Sequence, residues 1–451
     1  MDRRSFHRQL AGVAFAGLAS MVGGSGLARA AGSPKPGPLQ ADPAGLLDLP
    51  QGWSYRVVSR MGDRMDDGHV VADKADGMGC IALGNGRVAL IRNHELSAKD
   101  AARGAFGTRA VERAFDRWRG DGALPGGTST VIYDLRKQAV ESQFASLAGT
   151  IRNCAGGTTP WGSWLSCEED VSLAGSNLGQ DHGWVFEVPA SARGLVEPVA
   201  LKGLGRFNHE AATVDPATGI VYLTEDRDDS LFYRFLPARP GRLAAGGRLQ
   251  ALALQASGVD DTRNWNGMAF PTRQRLQANW IDLEGTDSRV DDLRKRGRAG
   301  GAAVFARGEG IHFGDGELYF TCTSGGAAKL GQVFRYIPAA NEGHERAGEG
   351  SGWLENFFES TDPMAFNFGD NLTIAPNGDL IVCEDQYTDI VDNHLRGITP
   401  AGEAYAFARC RLQTEMAGAC FAPDGTLFVN LYSPGMTLAI TGPATAGHGW
   451  R

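Results

Sequence analysis

The sequence predicts an all-β protein, a six-bladed β-propeller with helical and loop insertions. Three observations predict it. Glycine is abundant, at 62 residues, while long apolar helical stretches are few. One hairpin pattern recurs along the chain: an apolar run, a turn built on Gly with Asn or Asp, then a second apolar run. Further strand patterns such as "SLFYRFLP" and "GQVFRYIP" follow most copies, so each unit reads as a four-stranded sheet.

The copies run in order. "CIALGNGRVALIRNHE" spans Cys80 to Glu95. "NCAGGTTPWGSWLSCEED", Asn153 to Asp170, is the most irregular copy and turns near Pro160 to Gly162. "AATVDPATGIVYLTED" spans Ala211 to Asp226, and "GIHFGDGELYFTCTS" spans Gly310 to Ser324. "LTIAPNGDLIVCED" spans Leu372 to Asp385, and "ACFAPDGTLFVNLY" spans Ala419 to Tyr432. Roughly 70 residues are available per unit, above the ~40–45 of a WD40 blade. The surplus falls in insertions. Ala98 to Trp118 predicts a helix, with Val111, Phe115 and Trp118 on one face. Ala238 to Gly301 is a second long insertion with a charge-dense end. Two β-sandwich domains would explain the strands but not six copies of one hairpin. No Pro- or Ser-rich linker divides the chain after residue 43, so residues 31–451 read as one domain.

Residues 1–30 read differently. "DRRSFHRQL" carries Arg3 and Arg4 with Phe6 behind them, followed by a weakly apolar run and "ARAA". This is the pattern of a twin-arginine signal cleaved after Ala30. The apolar run is too short to span a bilayer. The reading implies the twin-arginine export machinery as a partner, a periplasmic or secreted location, and a chain that crosses already folded. Removing the segment's four Arg and one Asp takes the formal charge from −8 to about −11. That charge argues against nucleic acid as a partner. Nothing in the remainder is apolar enough for stable membrane association. Seven Cys leave at least one unpaired within the chain.

A hairpin brings its first and last residues to one end of the sheet. Asn153 opens the irregular copy, which closes in Cys167-Glu168. Glu210 opens the next, and Glu225-Asp226 closes it. Glu309 opens a fourth. Asp370-Asn371 opens the fifth, and Glu384-Asp385 closes it. The first copy opens after Asp76-Gly77 and closes in Asn93-His94-Glu95. In a propeller such ends gather around the axis. Clustered carboxylates must protonate, pair with Arg or bind cations. Carboxylate oxygens suit Ca²⁺, while a thiolate suits iron or zinc. The expected metal ligands are therefore Cys167, Glu168, Glu210, Glu309, Glu384, Asp385, Glu95 and Asn153. A single acidic strand end would be only a solvated charge; five at matching places in a repeat are a site. Arg307 lies two residues before Glu309, on the same side of a strand. A guanidinium beside clustered cations calls for an anion such as phosphate, or else for a salt bridge to a cluster carboxylate. His94 and His209 could back the ligands or ligate directly, the first being the stronger expectation, and Cys80, Cys410 and Cys420 are expected in the core. Cys154, Cys322 and Cys383 stand near hairpin ends as lesser ligand candidates.

"NCAGGTTPWGSWLSCEE", "GRFNHEAA", "FARGEGI", "DNLTIAPNGDLIVCED" and "GACFAPDGTLFVN" together resemble the PhoX-type alkaline phosphatases and their shorter relatives, from about Asp76 to Pro443. The resemblance implies a six-bladed propeller with two ferric ions and several calcium ions around a bridging oxygen, hydrolysing small phosphate monoesters. By the same resemblance Cys167 matches the iron-binding thiolate. Glu210 and Glu309 match carboxylates of the cluster, and Arg307 matches the phosphate-contacting arginine. Cys167 and Arg307 are thus the expected catalytic pair. The chain is shorter than the well-known members between Cys167 and Glu210. A calcium-dependent propeller lactonase or esterase, or a non-catalytic calcium-stabilised binding protein, would need no thiolate.

Overall fold

Six hairpins lie where the repeat places them, and the chain is all-β and propeller-like. A computed structural model of the chain describes residues 35–443, apart from 108, 110, 121, 256–258 and 346–350. The export signal therefore lies outside the described residues. The hairpins are β1–β2 (Ala75–Gly84, Arg87–His94), β3–β4 (Asn153–Thr158, Ser163–Glu168) and β5–β6 (His209–Val214, Val221–Glu225). They continue as β7–β8 (Gly308–Gly314, Glu317–Cys322), β9–β10 (Gly369–Ile374, Leu380–Glu384) and β11–β12 (Met416–Phe421, Leu427–Leu431). Turn chemistry sets them. Gly86, Gly316, Gly378 and Gly425 follow an Asn or Asp and hold positive φ, which tight hairpins need.

The described strands form five hydrogen-bonded sheets rather than six separate ones. The β1–β2 sheet has four strands and the β3–β4 sheet three. The β9–β10 sheet has six, because Leu47–Pro50 and Leu39–Gln40 add to its outer edge. The β11–β12 sheet gains Ser54–Arg60 beside Met436–Thr441, so an N-terminal strand completes the C-terminal sheet. The largest sheet has nine strands. There Arg275–Leu283, from the second insertion, pairs with Gly247–Leu254 on one side and Trp353–Glu359 on the other. It joins the β5–β6 and β7–β8 hairpins into one sheet. The first insertion is not the expected helix. Among its described residues only Ala98–Arg103 and Trp118–Gly120 wind, both as 3-10 turns. Val111 and Phe115 instead pack as loop residues.

The first strands of the hairpins lie side by side in order, β1 against β3, then β5, β7, β9 and β11, and β11 returns to β1. Apolar layers fill the gaps behind them. Trp164 and Phe186 pack against Ile91 and Phe144 between the first two sheets. Phe428 and Cys420 pack against Leu90 and Tyr133 between the last and the first. Each fully buried Leu or Phe there contributes ~1.5–3 kcal/mol relative to exposure.

Candidate metal centre

All six hairpins break register at the same place. Regular pairing stops at Ala75–His94, Asn153–Glu168, His209–Glu225, Gly308–Cys322, Gly369–Glu384 and Ala417–Asn430, and resumes one residue out of step. A β-bulge inserts one unpaired residue and re-aims its side chain. The bulged residues are Asp76, Cys154, Glu210, Glu309 and Asp370, with Gly418 in the sixth copy. All but Asp370, which Asn371 follows, precede a Gly or Ala small enough for the neighbouring strand to pass. At Gly77 a Cβ would meet the Ala155 Cα at 2.5 Å, and at Gly310 the Asn371 Cα at 2.6 Å. The second strands contribute the residue just past their ends: Glu95, Glu169, Asp226 and Asp385.

These side chains line a cavity of about 490 Å³. Nine carboxylates face it (Asp76, Glu95, Glu169, Glu210, Asp226, Glu309, Asp370, Asp385 and Glu415), against two guanidiniums, Arg152 and Arg307. Arg152 joins Glu95 at 2.7 Å to Glu169 at 2.5 Å. Arg307 donates from Nε and Nη2 to both oxygens of Asp226, at 2.7 and 3.0 Å, and from Nη2 to Glu309 at 2.9 Å. It also donates to the Tyr387 hydroxyl at 3.0 Å. The Cys154 thiol donates to Glu210 Oε1 at 3.3 Å.

Burial pushes Glu210 well above the usual carboxylate range, with Glu309 and Asp370 adding to it. Burial raises Glu309 and Asp76 in the same way, helped by Asp226 for the first and Glu95 for the second. Asp370 is pushed up to about 7 by burial and by Asp385. Burial, then Asp76 and Glu210, raise the Cys154 thiol.

Cations fit this donor set. Three groups bring one ligand atom from each residue within 4.8 Å of the others: Cys154, Glu169 and Glu210; Glu210, Glu309 and Asp370; Asp370, Asp385 and Glu415. Glu210 and Asp370 are shared, so the groups form one row. Glu210 Oε2 is buried with no hydrogen-bond partner, a cost that a cation would remove. Oxygen-only donors suit a hard ion such as calcium, and the group with a thiol suits a softer one.

The structure brings Glu95, Glu210, Glu309, Asp385 and Arg307 together. It places four expected site residues elsewhere. Cys167 is fully buried in the apolar layer with Leu165, Val185 and Phe207, and burial raises its thiol. Glu168 accepts from the backbone of Ile151 and Gly183, at 3.1 and 3.0 Å, and bonds His182 at 2.7 Å. Glu384 accepts from Asn367 N, His394 N and Arg396 Nε, at 2.9, 3.0 and 2.8 Å. Asn153 bonds Thr150 and Ser166. The reason is strand alternation. Asn153–Glu168 and Gly369–Glu384 are the last regular pairs, and the side chains that reach the cavity sit one residue further on. The thiol there is Cys154, not Cys167. His94 and His209 also lie behind the cavity, bonded to the backbone of Asp73 and Gly205, and burial lowers both to about 3.

The expected ligand set gives Cys154 only a lesser place and lacks Asp76, Glu169, Asp226, Asp370 and Glu415. The signal was present: in every copy but the last, an Asp, Glu or Cys stands immediately before a Gly, Ala or Asn.

The model of the family described as Alkaline phosphatase PhoX matches residues 35–435. The structure of Pseudomonas fluorescens PhoX in complex with vanadate, a transition state analogue, shares the fold at a TM-score of 0.61 and 18% identity. That match covers 91% of this chain and 98% of the other. A gluconolactonase of Xanthomonas campestris matches at a TM-score of 0.33 and 12% identity, over 86% of this chain and 98% of that one. No curated protein matches. With the family model spanning all six bulged hairpins, the chain belongs to the alkaline phosphatase PhoX family.

Proposed function

We propose that the carboxylate-lined cavity is the centre at which this chain hydrolyses small phosphate monoesters, and that it does so with bound cations. The observation that carries the reading is the imbalance of nine buried or half-buried carboxylates and one thiol against two arginines. Such a set is stable only when protonated or cation-bound. Cys154, Glu169 and Glu210 would hold the ion bound through a thiolate, which we read as Fe³⁺. Glu309, Asp370, Asp385 and Glu415 would hold Ca²⁺. Such ions, when bound, supply Lewis-acid stabilisation of charge on phosphoryl oxygens.

The chain's own residues do the rest. Asp226 and Glu309 hold the Arg307 guanidinium at the cavity wall through Nε and Nη2. Among the described residues Nη1 makes no hydrogen bond, so it can donate to a phosphoryl oxygen as charge builds there. Tyr387 stands beside the same guanidinium, with its ring centroid 5.1 Å from the Arg307 Cζ. The vanadate bound by the P. fluorescens protein supports a phosphoryl group as the guest.

We further read the five sheets as six blades, two of them fused through Arg275–Leu283. The return of β11 to β1 supports one six-bladed domain. The "RRSF" segment supports twin-arginine export to the periplasm. Changing Arg3 and Arg4 together to Lys should strand the protein in the cytoplasm; normal delivery would point to another route. The function itself is tested by elemental analysis of chelator-free protein together with hydrolysis of p-nitrophenyl phosphate. Iron, calcium and phosphatase activity together are expected. Lactone hydrolysis without iron would replace this reading, and calcium without any hydrolysis would leave a stabilised binding protein.

A further inference from the structure

Seven cysteines are free, and only Cys154 belongs to the cavity. Two others meet where the ring of first strands closes. Cys80 lies on β1 and Cys420 on β11, and these strands are neighbours. Gly418 rests on the β1 backbone, where a Cβ would meet Asp76 O at 2.4 Å and Met78 N at 2.7 Å. Two residues further along each strand stand Cys420 and Cys80, in one apolar cluster. Both pack in the apolar layer that seals the last sheet to the first, with Met78, Leu90 and Phe428.

The geometry points to a disulfide between Cys80 and Cys420 that locks the first sheet to the last when the protein meets an oxidising environment. The two thiols differ in access. Cys80 is half-buried, while Cys420 is buried, and the contact with Cys80 and then burial raise its thiol. Cys80 is therefore the sulfur that meets an oxidant first. As thiolate it attacks a small disulfide, such as oxidised glutathione, forming a mixed disulfide and releasing one glutathione thiolate. The Cys420 sulfur then attacks the Cys80 sulfur. The S–S bond between them forms, the mixed bond breaks, and the second glutathione leaves with the Cys420 proton. Two cysteine thiols are oxidised and one external disulfide is reduced. Export would deliver the folded chain to such an environment.

The seam needs such a tie more than other places in the fold. Elsewhere neighbouring sheets are joined by continuous chain. Here β11 and β1 are 332 residues apart at their nearest ends by number (416 − 84), and the Ser54–Arg60 strand is the backbone link. A cross-link closing so long a loop restricts the unfolded chain strongly. Cys383, fully buried, is the competing thiol, but it packs in the neighbouring cluster with Ala419 rather than in that of Cys80 and Cys420.

The test treats the full purified chain with oxidised glutathione, blocks remaining thiols and maps peptides without reduction. A peptide joining Cys80 to Cys420 is expected, with the thermal midpoint raised by about 3–8 °C and restored by dithiothreitol. Cys80→Ser should abolish both the linked peptide and the shift while leaving phosphatase activity unchanged. Cys383→Ser should keep both. Wild-type mapping decides even where a variant folds poorly. A Cys383–Cys420 link, a Cys80 cross-link between two molecules, or seven free thiols after oxidation would each overturn the proposal.

Discussion

The Cys154 thiol reaches across to Glu210 Oε1 at 3.3 Å, so the bulge of β3 and the bulge of β5 meet at one donor pair. Cys167, thirteen residues on, faces the opposite way into apolar packing. Changing Cys154 to Ser exchanges a soft ligand for a poor one at nearly constant size. Iron content and hydrolysis should fall together, with calcium retained. Cys167→Ser should keep its metals and lose ~1–3 kcal/mol of stability, the cost of burying a hydroxyl without a partner. Elemental analysis and thermal unfolding of both variants separate the two sulfurs. Full iron in the Cys154 variant would end the mixed-metal reading.

Arg307 is fixed by Asp226 and Glu309 rather than free to roam. Arg307→Lys keeps a charge but loses the fork that grips Asp226 in two places. A fall of about 10²–10³ in kcat is expected if its remaining donor meets charge only in the transition state. KM should rise less than kcat falls. A change confined to KM would make Arg307 a binding group only.

Much of this was legible in the sequence. The turns announced themselves because Gly after Asn or Asp is what a tight hairpin needs. The ends converged because a hairpin returns its chain to one end. The phase at those ends was not legible from alternation alone. A bulge shifts it by one residue, which exchanges Cys154 for Asn153 and Glu169 for Glu168. The fusion of two sheets through Arg275–Leu283 was equally hidden, since that strand arises in an insertion with no repeat to mark it.

Removing the metals should make stability depend steeply on pH. Asp370 sits at about 7 in the fold against 3.8 for an ordinary Asp, because burial and Asp385 raise it. Glu210 and Glu309 move the same way. A carboxyl whose folded value is raised binds its proton more tightly when folded. Its contribution is full below about 4 and is lost as pH rises through 7. Chelated protein should therefore melt earlier at pH 8 than at pH 5, and calcium should reverse the loss at pH 8. Equal midpoints at the two pH values would show that the carboxylates do not crowd one another.

His182 offers a separate test, one layer behind the ligand Glu169. It is buried between Glu168 at 2.7 Å and Asp116 at 3.2 Å. Burial alone would lower it, but Glu168 and Asp116 outweigh burial and raise it to about 10. His182 and the backbone of Ile151 and Gly183 together fix Glu168, which holds the chain that carries Arg152 and Glu169 to the cavity wall. A raised histidine stabilises fully below its ordinary value of 6.5, and that contribution is lost as pH rises through about 10. His182→Gln should lower the thermal midpoint most at pH 6, and the gap to wild type should close toward pH 10.5. Because Glu169 would lose its support along with Arg152, iron content and hydrolysis should fall together in the variant at pH 8. A gap constant from pH 6 to pH 10.5 would mean that His182 is neutral in the fold, and that Glu168 is held by the backbone amides alone.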